Sequence, residues 1–469
     1  MLERIFAPAS IDSLFSDAAM IAAMARFQGA LARAQVATGL VPAQAADSIA
    51  RVCLEMGDPA ATDGNPDAIA GGRFDADRLY RSARATGSIA TPFMRALAEQ
   101  LAATDAEAPR YLNLGPSHQD IVDSALAMQC KEAGRRLLDA IDRTGTALVG
   151  LVEEHRHTII AGRVRLQPMA VTTFGWKAAQ WLDPLSRSRR HLRLVLLDAA
   201  VLQLGGLGGN RSGLADEPGS ANQVAQRLAD ALGLLLPPAA WTASRDRFAR
   251  LGAELALLSG HCGKIGQDIA LMMQAEVGEI GPADDRSDPS SHGAAGSGDP
   301  ANTGSSAALL MREAALRAPG LAATLFGSLP VEHEQGHLGW QSTWWTLRQL
   351  FGAAASGVVA AEECLSRLPV KADAMRANFD RHNGRIFADA VARSLTPKIG
   401  ADEARALVAE LLATAAERRM TLRQALGRDS RISALMSLGD VERIFTPEAQ
   451  FAANDPMIDR LLELWRDSR

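Results

Sequence analysis

Apolar residues recur along most of the chain at helical spacing, and in two segments the spacing is that of a heptad seam. Met20, Met24, Phe27, Leu31 and Ala34 follow one another at intervals of four, three, four and three, and the pattern stops at Gly39 with Pro42 behind it, a normal helix exit. Leu251, Leu255, Leu258, Cys262, Ile265, Ile269 and Met272 repeat the alternation over three heptads. A period near 3.5 keeps one stripe turned towards its neighbours, so this segment is expected to be a long helix in a left-handed bundle. A core helix of one subunit and a helix of an inter-subunit bundle fit that stripe equally well. Strand signals are scarce, and Thr158 to Leu166 is the best candidate for extended structure. Breaker-rich stretches fall at Gly57 to Gly72, Gly205 to Gly219, Leu235 to Ala239 and Gly281 to Gly304. The last is longer than a compact domain tolerates without a purpose, and an active-site lid is favoured over a disordered insertion.

Composition agrees with a helical chain rich in core. Of 469 residues 47% are hydrophobic and 22% charged, enough for about two to four domains' worth of core and unlike collagen, a disordered tail or a disulfide miniprotein. A net charge of -5 and an isoelectric point near 6.0 give no basic field, so nucleic acid is not an expected partner. The basic residues are lopsided: Lys131, Lys177, Lys264, Lys371 and Lys398 stand against 44 arginines. Cys53, Cys130, Cys262 and Cys364 form neither a CxxC pair nor a disulfide framework, which suits a reduced compartment. Glu3, Arg4 and Asp12 interrupt the N-terminus where a signal peptide would be apolar. No apolar run reaches the roughly 20 residues of a membrane span. The expectation is a cytoplasmic protein that does not enter the membrane.

Phosphate and metal motifs are weak. Gly205-Gly206-Leu207-Gly208-Gly209 lacks the GxGxxG spacing, follows a helical stretch and has no lysine nearby. His333-Glu334-Gln335-Gly336-His337 satisfies HExxH literally and sits on a probable helix, but the glycine within it makes zinc the lesser reading against a polar helix start. No metal is expected. Three other segments carry more chemistry. In YLNLGPSHQDIVDSA, Ser117, His118, Gln119 and Asp120 open a helix, as a cap alone or as a carboxylate site on the backbone N–H groups. AGRVRLQPMAVTTFGWKAAQWL places Arg163, Arg165 and Gln167 before a helix, and WTASRDRFARL carries Arg245. Arginines and amides converging on a pocket bind a dianion through charge-assisted hydrogen bonds.

Taken together these segments identify the chain as similar to the fumarase/aspartase superfamily, and within it to the bacterial 3-carboxy-cis,cis-muconate cycloisomerases. GPSHQD at Gly115 to Asp120 resembles that family's GxTSQD. AGRVRLQP to TTFGWKAAQWL resembles its GRTxLQ to TFGxKxAGW, and Ser244 to Arg247 its QRDR. GKIGQDIALMMQAEVGEI at Gly263 to Ile280, RAPGLAATLFGSLPVEHEQ at Arg317 to Gln335 with Trp340 and Trp344, and MRANFDRHNG at Met375 to Gly384 complete the series in family order. The resemblance implies an all-α fold: an N-terminal helical domain (1–114), a central long-helix bundle (115–354) and a C-terminal helical domain (355–469). It implies a homotetramer whose active sites are shared between subunits, and no cofactor. The implied chemistry is proton abstraction next to a carboxylate of a small di- or tricarboxylate. Elimination then follows, loss of nitrite from nitrosuccinate being one reaction type, or the related intramolecular addition of a carboxylate to a double bond. A non-catalytic paralogue serving assembly or ligand sensing is the alternative.

The signature loop departs from the family text. The family's SSxMPxKxNP supplies a serine base together with a lysine and an asparagine. Here SSHGAAGSGDPANT lacks Met-Pro and the lysine, and the serine positions fall on Ser290 and Ser291 in one register or on Ser291 and His292 in another, with Asn302 beyond. A serine base needs a lowered pKa, so losing the lysine makes an alkoxide harder to form. His118 and His292 can serve as bases near neutral pH without that help. The resemblance therefore gives Ser290, Ser291, His118 and His292 as candidate bases, and Asn113, Ser117, Arg163, Gln167, Arg245 and Asn302 as carboxylate-binding residues.

Overall fold

A computed structural model describes residues 5–57, 76–214, 219–281, 303–336 and 338–467. It is almost wholly helical. A short helix α1 (Ala9–Asp12) precedes α2 (Asp17–Val36), α3 (Ala43–Gly57), α4 (Ala76–Thr86) and α5 (Ala90–Ala102). Five long helices follow: α6 (His118–Glu154), α7 (Phe174–Ala199), α9 (Asp246–Met272), α10 (Thr303–Gly327) and α11 (Trp340–Leu365), with α8 (Ser220–Leu232) between α7 and α9. Shorter helices from Ala372 to Asp467 close the chain. The long α6 has 37 residues and extends about 55 Å at 1.5 Å per residue.

Both heptad segments are helices. Ser16 caps α2 by accepting from the Ala19 N–H at 3.2 Å, and the exit at Gly39 has φ +73°, a conformation glycine adopts freely. Met24, Phe27, Leu31 and Ala34 are buried. So are all seven seam residues of α9, from Leu251 to Met272.

The extended segment is β1 (Ile159–Val164), and it pairs antiparallel with β2 (Gln167–Thr173). The sequence places Gln167 simply ahead of a helix, and the second strand is a correction. Arg165 and Leu166 form the two-residue turn with φ of +51° and +66°, the left-handed pair of a type I′ hairpin. That turn is usually written Asn-Gly, which is why Arg-Leu does not announce it.

The described residues fall into two compact units. The first comprises 1–140, 188–260 and 313–359. Its core joins α2, α3 and α5 to the start of α6, the 200–204 segment and α8. The second comprises 141–187, 261–312 and 360–469. There Ala161 of β1 packs into a core that otherwise runs from Phe379 to Ile444. No helix among the described residues is long and apolar enough to cross a membrane.

Candidate functional site

In the first unit the site is built around the entrance to α6. Asn113 (φ +57°) and Gly115 (φ +95°) turn the chain sharply. At Gly115 a Cβ would lie 2.6 Å from the Gly213 carbonyl oxygen, so both the φ and the close backbone approach demand glycine. Helix α2 holds the turn from behind. Gln28 Nε2 donates to Asn113 Oδ1 at 2.8 Å and Gln35 Nε2 to the Leu114 carbonyl at 2.7 Å. Ser117 is the helix cap: its Oγ accepts from the Asp120 N–H at 3.2 Å, while its own N–H donates to Asp120 Oδ2 at 2.7 Å, a reciprocal capping box.

Asp120 does more than cap. Fully buried, it also accepts from the N–H groups of Gly205 (2.9 Å) and Gly206 (2.8 Å) and from Gln203 Nε2 (3.0 Å). Burial pushes its carboxyl up, and these donors work against that rise. The glycine-rich segment is thus a loop pinned to the start of α6. Gln335 Nε2 holds it from the other side, donating to the Gly206 carbonyl at 3.2 Å. Gln203 continues inward, donating to Thr242 Oγ1 at 2.7 Å and accepting from the Trp241 N–H at 2.8 Å.

One turn further along α6, buried Asp123 takes both Nη atoms of buried Arg245, at 2.5 and 3.1 Å. Gln119 Nε2 and the Trp340 indole N–H complete its shell at 3.1 and 3.0 Å. Trp241 and Phe248 present ring faces to the guanidinium at 5.2 and 5.4 Å. The fork of Arg245 is therefore committed to Asp123, not to a ligand carboxylate. His118 is different. It is exposed on the first turn of α6, Thr91 Oγ1 lies 3.3 Å from its Nδ1, and burial of part of the ring lowers its pKa. At neutral pH it is an uncharged imidazole with Nε2 available.

In the second unit Arg163 lies on β1 and Gln167 opens β2, exposed beside the hairpin turn. Arg163 is bidentate to buried Glu279, at 2.9 and 2.6 Å, and Asn378 Nδ2 gives Glu279 a further bond at 3.1 Å. Ser290, Ser291, His292 and Asn302, and with them the expected lid, lie outside the described residues. The structure thus gathers Asn113, Ser117 and His118 on one turn and sets Arg245 behind them. It carries Arg163 and Gln167 on the hairpin of the other unit.

His333 does not stand on a helix, which corrects the HExxH reading. Residues 329–336 are non-helical and His333 has φ +51°, so the i, i+4 face that a zinc pair requires is missing. Gln203, Asp123 and Thr242 were not singled out by the sequence, and Gln335 stood out only as the end of the VEHEQ segment. Only the Ser117-x-x-Asp120 spacing signalled the cap.

The lyase family Lyase_1 matches residues 9–292. The 3-carboxy-cis,cis-muconate cycloisomerase of Pseudomonas aeruginosa is 35% identical, over 98% of this chain and 95% of its own length. The nitrosuccinate lyase of Streptomyces davaonensis is 33% identical, over 98% and 94%. Among solved structures, the 3-carboxy-cis,cis-muconate lactonizing enzyme from Pseudomonas putida superposes with a TM-score of 0.86 at 29% identity, covering 100% of this chain and 99% of that one. With its helical fold and the matched length, the chain belongs to the Lyase_1 family and is an all-α enzyme of the fumarase/aspartase superfamily.

Proposed function

We propose that the enzyme removes a proton α to a carboxylate of a small di- or tricarboxylate. The resulting electron pair then expels a group from the neighbouring carbon, as from a succinate derivative. Run as a muconate-type cycloisomerisation, the same site adds a substrate carboxylate across a double bond, and the base in its protonated form delivers a proton to the α-carbon. The observation that carries this reading is His118, a neutral, solvent-open imidazole on the first turn of a 37-residue helix. Its Nε2 accepts the proton, and the lowered pKa keeps the ring in its basic form at neutral pH.

Asn113, Ser117, Gln167 and Asn302 supply uncharged donors to the substrate carboxylates and to the enolate-like charge that develops. Arg245 and Arg163, their forks occupied by Asp123 and Glu279, hold those acids in place. Ser290, Ser291 and His292 are the competing bases. A homotetramer with shared sites, a division at 1–114, 115–354 and 355–469, a cytoplasmic setting and no cofactor belong to the same reading, on the strength of the family resemblance.

A panel of substituted succinates and muconates, followed by ultraviolet absorbance of the double bond, tests it. His118→Asn is expected to lower kcat by about 10²–10⁴-fold, with Ser290→Ala and Ser291→Ala close to wild type. Because the His118 pKa is lowered, wild-type kcat/KM should be flat at neutral pH and fall on the acid side, with a midpoint below the ordinary imidazole value of 6.5. Turnover that survives in His118→Asn but is lost in a serine variant would move the base to the loop.

A further inference from the structure

In the second unit Arg163, Glu279, Lys264 and Asp268 all have direct partners. Glu279 is spent on Arg163 and Asn378. Asp268 is taken from two sides: Lys264 Nζ reaches both oxygens at 2.6 Å, and the Trp181 indole N–H donates to Oδ2 at 2.8 Å. Lys177 stands one turn before Trp181 on the same face of α7. It lies in the combined field of Asp268, Lys264, Arg163 and Glu279. The side chain is half-buried, and among the described residues no hydrogen bond or ion pair holds its ammonium.

Three cations thus share two carboxylates, and both carboxylates make their direct contacts with partners other than Lys177. A partly desolvated cation with no direct ion pair is unfavourable. Burial lowers the Lys177 pKa, Asp268 works against that fall, and Lys264 and Arg163 add to it. An ammonium that no fixed carboxylate holds directly is free to pair with an arriving anion.

We propose that Lys177 is an anion-binding residue whose ammonium takes one carboxylate of a small polycarboxylate. The identity of the anion rests on the function proposed above; the surplus cation does not.

Calorimetric titration of wild type, Lys177→Met and Lys177→Arg with propane-1,2,3-tricarboxylate and, separately, with inorganic phosphate tests this, with the melting temperature of each variant as the folding control. Wild type should bind both anions, Lys177→Met should bind each at least about tenfold more weakly, and Lys177→Arg should recover most of the loss. Equal affinities for wild type and Lys177→Met overturn the assignment and leave the polycarboxylate reading standing. Phosphate binding that Lys177→Met abolishes, without any tricarboxylate binding, supports Lys177 as an anion site and overturns the polycarboxylate reading. Binding of neither anion to wild type overturns both. Should Lys177→Met fail to fold, trinitrobenzenesulfonate labelling of wild type decides: the tricarboxylate or phosphate must slow modification of Lys177, and an unchanged rate with both refutes the proposal.

Discussion

Asp123 and Arg245 show how much of this site is scaffold. A carboxylate and a guanidinium, both removed from water, are stable only because each satisfies the other and Gln119 and Trp340 complete the shell. Arg245→Met keeps the side-chain bulk but strands the Asp123 charge. It should cost about 3–5 kcal/mol, the range for breaking a buried pair from one side. Urea denaturation measures this, and Asp123→Asn added to Arg245→Met should return part of the loss. A stability close to wild type for Arg245→Met alone would mean that the pair is solvated. At this scale the sequence was a partial guide. Arg245 was legible as a pocket arginine, expected to bind a substrate carboxylate, but its partner Asp123 was not, since it lies 122 residues away and nothing in IVDSA marks it.

Elements were more legible than the contacts between them. Periodicity found α2 and α9 because a seam of large apolar residues has to be continuous to be buried. The hairpin was half seen, since Ile159 and Ile160 favour a strand while Pro168 and the Arg-Leu turn obscure its return. Close helix packing was not legible at all. At Gly145 in α6 a Cβ would sit 1.9 Å from Trp465 Cζ2, so the glycine is there for its missing side chain and not for backbone freedom. Gly145→Ala is expected to destabilise by about 1–3 kcal/mol through overpacking. Gly150→Ala, on the same helix with nothing within 4 Å, should instead stabilise by about 0.5–1 kcal/mol. Thermal or chemical unfolding of the two single variants separates these effects, and destabilisation of similar size in both would assign the cost to the helix backbone and not to Trp465.

At the scale of the whole molecule, the long helices leave large apolar side chains uncovered. Leu316 is 78% exposed, and Leu194, Leu197, Leu257 and Leu309 are each more than half exposed. Soluble chains cover such patches through association. If the proposed homotetramer covers them, sedimentation equilibrium of the purified protein should give four times the 49.7 kDa of the chain, and a concentration-independent monomer would rule out the shared-site tetramer. The family text was legible across almost the full length because it is spread over many segments. What the segments build was not, since the Asp120 cluster draws on residues 117 to 335 and only folding brings those together.

All four cysteines are free and buried. Burial holds every thiol above its ordinary range, with Cys53 and Cys262 pushed up to about 12. The thiolate is the reactive form, so in the native state these side chains are silent towards maleimides and iodoacetamides. A single cysteine placed at Leu166, 75% exposed on the hairpin turn, would be the one group such reagents find. The native chain is thus its own background for site-specific spin or fluorophore labelling, without first removing the natural cysteines and disturbing the helices they pack between.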